Sequence, residues 1–335
     1  PLHNGATGNR FLKQEYYIGF VQDEWKIRRN LTMNYGLRYE YYTVLHEDRG
    51  MFTYLDMTKG TLAGPNTPWY RSSKRNFGPR LAFAWSPERL GGKTVFRIGS
   101  GYYYGPGQTE DLVQPIDSDR PTVRVTGARF PVNSQQIIGS FDLNTCTGFS
   151  PRVYAPGYTA PERVLTYTAS IQQQLPHGSV LTAAYVGSQG RNLFLRSWTN
   201  LMVGVTMDPV TGVGSPILEF GDRFSQLDYK TSGGTDHYDS LQMTLNRRFS
   251  RGLTVSAQWT WGHSLGNTGG SNEAQTQTDP FNFERDRGNN AFDVRHSFNL
   301  SALYELPFGR GRRYMSGAPA ADILLGGWAI GGVLN

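Results

Sequence analysis

The segment LTMNYGLRYEY, residues 31–41, alternates large apolar or aromatic residues with small or polar ones. Leu31 and Met33 begin the apolar series, and Thr32 and Asn34 begin the polar series. Because successive side chains of a strand point to opposite faces, the pattern predicts a strand with one apolar and one polar face. A soluble sandwich uses such a strand once or twice. Here the pattern recurs from end to end, which is typical of a transmembrane β-barrel.

Segments with this alternation predict about ten strands, each roughly long enough to cross a bilayer when tilted. They lie near residues 16–25, 31–41, 80–85, 96–104, 167–175, 180–188, 240–246, 253–261, 297–306 and 328–334. The predicted fold is therefore all-β. We expect an antiparallel up-and-down transmembrane β-barrel, present in part as about ten strands of a larger barrel, with long extracellular loops.

The links between predicted strands alternate between tight and very long. The tight links are residues 27–30, 87–93, 176–179 and 250–252, and the long links are residues 43–76, 105–163, 189–236 and 262–294. Soluble domains rarely contain several loops of that length, whereas outer-membrane barrels combine short periplasmic turns with long outer loops. The link at residues 307–326 is an exception, because it is longer than a periplasmic turn should be.

Composition indicates apolar surface that is dispersed along the chain. Mean hydropathy is -0.47 although 13% of the residues are aromatic. No run of about 18 apolar residues occurs, so the sequence predicts no transmembrane helix. Residues 323–334 are too short to span as a helix and contain two glycine pairs, so we expect a turn that enters a strand.

The motifs give no support to enzymatic chemistry or nucleic-acid binding. The formal net charge is +6, but the basic residues are scattered among turns, inward positions and loops, without the clustered stripe that nucleic acid requires. GxSxG, HExxH and phosphate-loop motifs are missing from the sequence. The single cysteine, Cys146, cannot form an intramolecular disulfide, and we interpret it as incidental. We therefore expect no enzyme activity, cofactor, metal or nucleic-acid partner.

Several segments, in this order and spacing, resemble the barrel of TonB-dependent outer-membrane receptors, with the Oar-like group as the best match. That group carries a carboxypeptidase-regulatory-like domain ahead of a plug. The segments are FVQDEWKIRRNLTMNYGLRYEYY (20–42), NFGPRLAFAWSP (76–87), GGKTVFRIGSGYYYG (91–105), YTASIQQQLPHGSVLTAAYVGSQG (167–190), HYDSLQMTLNRRFSRGLTVSAQWTWGHSL (237–265) and DPFNFERDRGNNAFDVRHSFNLSALYELPFGRGR (279–312).

The resemblance implies a bacterial outer-membrane receptor whose barrel of about 22 strands is closed by an N-terminal plug. Residues 1–335 would then be an internal part of the barrel domain, without signal peptide, plug or closing C-terminal strand. The implied partners are the outer-membrane lipid bilayer, the rest of the barrel and the plug, the energy-coupling protein TonB through an N-terminal region outside these residues, and an extracellular ligand such as a carbohydrate or a siderophore.

The alternation also assigns candidate residues to each face. We expect ligand-facing or lumen-facing roles for Arg38, Glu40, Arg80, Arg97, Gln172, Gln242, Arg248 and Glu305, although inward charges usually pair with neighbours or with the plug. We expect membrane-facing positions for the aromatic residues Tyr35, Tyr39, Trp85, Tyr102, Trp259, Trp261 and Tyr304. The loop aromatics Trp69, Tyr70, Tyr154 and Tyr158 could either stack on sugars or pack the loops together.

Three alternatives remain open at this point. Asp279, Glu284, Asp286 and Asp293 could form a calcium loop, but their spacing matches no EF-hand and favours a hydrogen-bonded loop that anchors the next strand. The barrel could belong to an outer-membrane adhesin or structural barrel without active transport. A soluble all-β domain would instead bury Tyr39 and the tryptophans Trp85, Trp259 and Trp261 in a core.

Overall fold

Ten long strands form one continuous antiparallel sheet, called the wall below. They are β1 Tyr16–Arg28, β2 Leu31–Tyr42, β3 Phe77–Trp85, β4 Thr94–Gly105, β5 Glu162–Leu175, β6 Ser179–Thr199, β7 Leu227–Ser250, β8 Leu253–Gly266, β9 His296–Glu305 and β10 Ala329–Leu334. The computed structural model describes residues 2–4, 11–50, 54–63, 67–107, 123–125, 130–131, 150–225, 227–250, 252–268, 277–279, 282–309, 313–314 and 326–335. Each strand pairs with the next one along the chain, as an up-and-down barrel requires.

The register of the wall keeps apolar residues opposite apolar residues. One row perpendicular to the strands reads Phe96, Ile171, Ala183, Met243, Trp259 and Phe298 from β4 to β9. The neighbouring row is polar: Arg97, Ser170, Ala184, Gln242, Thr260 and Ser297. Directly opposite residues of paired strands share a face, so the wall has an apolar face and a polar face. The predicted fold class is confirmed.

The short links predicted between strands are present at one end of the wall, between β1 and β2, β3 and β4, β5 and β6, and β7 and β8. The predicted loop at residues 189–236 is wrong in its bounds. The ladder between β6 and β7 continues to the pair Thr199 and Leu227, with register shifts near Leu193. Strands that extend past the bilayer need no apolar face, so the alternation stops before the strands do.

Short strands and two 3-10 helices occupy the links. Among the described residues, the paired strands are Leu2–Asn4 with Val123–Val125, Leu12–Lys13 with His46–Glu47, Tyr54–Asp56 with Thr61–Ala63, Arg71–Ser72 with Thr159–Ala160, and Met202–Met207 with Gly214–Leu218. Arg152–Tyr154 joins β7, Gly288–Asn289 joins β8, and the helical turns are Glu88–Leu90 and Phe283–Asp286. In the described parts of the chain, no helix has the length and apolar character needed to cross a membrane.

The buried apolar clusters lie mostly in the long links, outside the lipid-facing part of the wall. One cluster contains Leu45, Trp69, Tyr70, Tyr154, Tyr158 and Ala160, and a second contains Leu55, Val153, Ala155, Phe224 and Leu227. Wall residues such as Val21, Ile98 and Trp261 are more than half exposed. A lipid-facing sheet has this distribution, because lipid covers the apolar face that a soluble protein would have to bury.

Ala257 tests which face meets lipid. It lies on the apolar face between Leu245 and Leu300, about midway along the part of β8 that shares this face. We expect Ala257→Arg to destabilise the protein folded in lipid vesicles by about 2 to 4 kcal/mol. The control is Gln258→Arg, one residue further on the polar face, which should cost far less. Equal costs for the two variants would contradict the assigned faces.

Candidate functional site

The seven aromatic residues predicted to meet the membrane all lie on the apolar face. Their register partners include Leu81 for Tyr35, Phe77 for Tyr39, Phe96 for Trp85, Leu165 for Tyr102, Met243 for Trp259, Leu241 for Trp261 and Leu253 for Tyr304. The exposed fractions of Trp85 and Trp261 are 47% and 52%. None of the residues that the soluble-domain alternative requires in a core is buried, so that alternative is wrong.

On the polar face, Arg38 and Glu40 form a partly buried ion pair near the long-link end of β2. The distance from Arg38 Nε to Glu40 Oε1 is 2.7 Å, and the hydroxyl of Tyr42 also donates to the Glu40 carboxylate. Asn76 Nδ2 donates to the Glu40 carbonyl oxygen at 2.9 Å. Glu40 is 5% exposed, so this carboxylate is satisfied within the protein.

Arg80 lies one row further down the polar face and has a different environment. Its guanidinium carbon is 4.4 Å from the centre of the Tyr103 ring. Its Nε atom is buried and has no hydrogen-bond acceptor among the residues that the structure describes. Arg80 also borders a concave region of about 560 Å³, together with Gln22, Asn34 and Thr166. A buried donor without an acceptor is costly, so Arg80 is the candidate for contact with a further group.

The other predicted polar-face residues do not form one site. Arg97 Nη1 donates to Gln172 Oε1 at 2.7 Å, so these two meet across β4 and β5. Gln242 donates to Ser240 Oγ at 3.3 Å on β7. Glu305 ends β9 at the short-link end, far along the strands from Arg80. The side chain of Arg248 lies outside the part that the structure describes. Ligand contact by any of these residues stays a prediction.

The loop aromatics pack together into what we call the loop cap, the buried cluster around Leu45, Trp69, Tyr70, Tyr154 and Tyr158. Ring centres of Tyr154 and Tyr158 are 5.1 Å apart, and those of Tyr70 and Tyr154 are 5.2 Å apart. The Tyr70 hydroxyl accepts a hydrogen bond from the Leu45 backbone N–H at 3.0 Å. Packing is therefore the role that the structure gives these rings, and sugar stacking would require the cluster to open.

A buried charge network lies beside the second loop cluster. Asp228 and Lys230 are 2% and 0% exposed, and Lys230 Nζ lies 3.3 Å from Asp228 Oδ1. Arg196 Nη2 is 3.0 Å and Arg152 Nε 3.5 Å from Asp228 Oδ2. The sequence reasoning missed this network because these positions were assigned to a loop. The charged residues spaced by two at 228 and 230 were the available signal of a continuing strand.

The acidic segment at residues 279–293 forms separate hydrogen bonds, as the anchoring-loop alternative predicts. Asp293 Oδ1 accepts the Ser264 backbone N–H at 2.7 Å, and Arg295 Nε lies 2.9 Å from Asp293 Oδ2. The Ser264 N–H, ahead of His263 and Arg295, holds the pKa of Asp293 below its ordinary value. Among the described residues, no three His, Cys, Asp or Glu side chains come close enough to hold a metal ion.

A family model described as "Outer membrane beta barrel domain" matches residues 3–335. The chain belongs to this family. An outer membrane beta-barrel domain is located in the bacterial outer membrane, which agrees with the two faces of the wall. In such barrels short turns face the periplasm and long loops lie outside, so the loop cap is extracellular.

Solved structures similar to this beta-barrel domain have low sequence identity to it. The FrpB iron transporter from Neisseria meningitidis is 10% identical with a TM-score of 0.47, over 90% of this chain and 31% of that chain. The outer membrane transporter YddB from Escherichia coli is 14% identical with a TM-score of 0.47, over 91% and 36%. The alcaligin receptor FauA from Bordetella pertussis is 11% identical with a TM-score of 0.40, over 89% and 35%.

The beta-barrel domain spans about a third of the length of these solved structures. Comparison with curated protein sequences gives no match.

Tyr70→Phe tests how the loop cap is held. The change removes the acceptor of the buried Leu45 N–H. The loop cap should therefore lose about 1 to 3 kcal/mol of stability, and hydrogen exchange should be faster in the peptide that contains Leu45. Burial raises the pKa of Tyr70 to about 12, above the ordinary value of 10.0, so the wild-type cap should loosen as pH rises from 10 to 12. Tyr17→Phe, at an exposed hydroxyl, is the control. Unchanged exchange in Tyr70→Phe would contradict this role.

Asp228→Asn tests the buried charge network. This change removes the carboxylate that Arg152, Arg196 and Lys230 share. We expect the outer loops to lose about 3 to 5 kcal/mol of stability. The measurement is the rate of limited proteolysis of the loops, which follows the open population. The matched control is Asp48→Asn, because the pair of Asp48 with Lys13 is exposed and contributes little to stability. Equal proteolysis rates would refute the network's role.

Proposed function

We propose that this domain is part of the barrel of a TonB-dependent receptor of the Oar-like group. Its long loops bind an extracellular ligand, and the ligand passes through a lumen that the plug closes. The resemblance of six long segments in order and membership of the outer membrane beta-barrel domain family support this proposal. The rest of the barrel, the plug, TonB and the ligand are its proposed partners.

The proposal rests on the hydrogen bonding of Arg80. Its Nε atom is buried and lacks an acceptor among the described residues, beside a concave region of about 560 Å³ on the polar face. Other polar-face charges, such as Arg38 and Arg97, already have partners. In a plugged barrel the missing acceptor belongs either to the plug or to a ligand on its way through. An anionic or oxygen-rich ligand, such as a siderophore or a carbohydrate, offers such acceptors.

The adhesin alternative has one observation in its favour, the hairpin formed by Met202–Met207 and Gly214–Leu218. Several of its side chains are apolar and exposed, with Met202 63% exposed and Val210, in the turn, 91% exposed. Exposed apolar patches mark sites of association with other surfaces. A protein that holds surfaces without transport would use such a hairpin and would not depend on TonB.

Uptake of radiolabelled ferric chelates and oligosaccharides by cells distinguishes the two functions. Under our proposal, uptake of one of these probes stops when the gene for TonB is deleted, whereas binding to the cell surface continues. Binding of a probe or surface that is unaffected by TonB, with no uptake of any probe, favours the adhesin.

Arg80→Gln tests the proposed contact on the polar face. Loss of a charged donor should reduce uptake of the transported probe by about tenfold or more. Arg89→Gln, at an exposed arginine in the periplasmic turn between β3 and β4, is the matched control and should leave uptake unchanged. Equal uptake by the two variants, at equal amounts in the outer membrane, would show that Arg80 is not part of the path.

A further inference from the structure

Two exposed arginines lie side by side at the outer end of the apolar face. Arg163 of β5 and Arg191 of β6 are direct register partners, and both are exposed. Arg163 continues the series of Leu165 and Ala169, so it shares their face of the wall. The positions are therefore on the side that meets the membrane, outside the proposed transport path.

The arginine pair places two like charges directly opposite each other. Among the described residues, neither Arg163 nor Arg191 forms an ion pair with a carboxylate. Within the part of the chain that the structure describes, Arg191 Nη1 donates only to backbone carbonyls, that of Gly190 at 2.8 Å and that of Asp236 at 3.5 Å. Like charges directly opposite on paired strands destabilise a sheet. An anion between the two side chains would reverse that cost.

The pair is at the height of the outer lipid headgroups. Arg163 and Arg191 are each about twelve residues from the turn that joins β5 and β6. At about 3.3 Å per residue and the usual strand tilt, that is roughly 30 Å above the periplasmic turn, beyond an apolar band of about 25 Å. The arginines therefore reach the level where lipid phosphates lie.

An apolar groove lies beneath the pair on the same face. It has a volume of about 900 Å³, and its lining includes Phe83, Trp85, Ile98, Ala169, Ala183 and Tyr185. The small side chains of Ala169 and Ala183 lie on β5 and β6, the two strands that carry the arginines. From Arg163 to Ala169 the distance along the strand is roughly 20 Å, which after tilting is about the depth of one leaflet.

We propose that the outer surface of the wall binds one phosphorylated membrane lipid. The guanidinium groups of Arg163 and Arg191 hold its phosphate, and the groove at Ala169 and Ala183 holds one of its acyl chains. A guanidinium group can form bidentate hydrogen bonds with phosphate oxygens. Because neither arginine pairs with a carboxylate among the described residues, both guanidinium groups are available for this contact. The ligand is a lipid rather than free phosphate because the groove continues the site on the same two strands. The site does not depend on whether the barrel transports.

The test uses the intact protein, delipidated in detergent and titrated with diphosphorylated lipid A, dephosphorylated lipid A and inorganic phosphate. We expect wild type to bind the diphosphorylated lipid at least about tenfold more tightly than the dephosphorylated one. The double variant R163Q/R191Q should lose that preference. The control R29Q/R89Q removes the same charge from exposed arginines in two periplasmic turns and should keep it. Native mass spectrometry counts the bound lipid.

Four results would overturn the proposal. Equal affinity of wild type for the two lipids excludes a phosphate site, and this comparison needs no variant to fold. If R29Q/R89Q loses the preference for the phosphorylated lipid to the same extent, the preference is explained by net charge and not by the arginine pair. Displacement of the lipid by an equal concentration of inorganic phosphate assigns the site to free phosphate. Ala183→Phe fills the groove without changing charge, and undiminished lipid binding by this variant would exclude the groove. Heat-dependent gel migration verifies the folding of each variant.

Discussion

Backbone hydrogen bonding in a medium without water is the constraint on which the structure depends. Inside hydrocarbon every N–H and C=O of a strand must find its partner on the neighbouring strands, so the wall pairs each strand with the next without interruption. Side chains alternate with a period of two, and a register slip of one residue would exchange the faces of a whole strand. The row from Phe96 to Phe298 remains apolar across six strands because no such slip occurs.

The constraint changes where the strands leave the bilayer. Beyond Arg191 the ladder of β6 and β7 continues to Thr199 and Leu227, but its side chains now pack against loops and not against lipid. Water and loop atoms can satisfy polar groups there, so register shifts are tolerated and Lys230 can be fully buried beside Asp228. One pair of strands thus serves a lipid-facing wall at one end and a compact extracellular core at the other.

The parts of this architecture that follow from local pattern could be predicted from the sequence. Alternation identified the ten strands and placed all seven candidate aromatics on the apolar face. This works because the residues of each strand alternate between those suited to lipid and those suited to the polar side. The ends of β6 and β7 were missed, because alternation vanishes when neither face meets lipid. The contact of Tyr70 with Leu45 and the meeting of Arg196 with Asp228 join distant segments, and no local pattern encodes such contacts.

Because side chains alternate between the two faces of a strand, two arginines of this wall lie in opposite environments. Arg80 occupies a polar-face position beside the Tyr103 ring and a concave region, and its buried Nε atom has no acceptor among the described residues. Arg163 occupies an apolar-face position, where its nearest charged neighbour in register is another arginine. Composition alone counts both as scattered basic residues. The register separates them, because the strand pairing places one arginine on the polar face and the other on the apolar face beside a like charge.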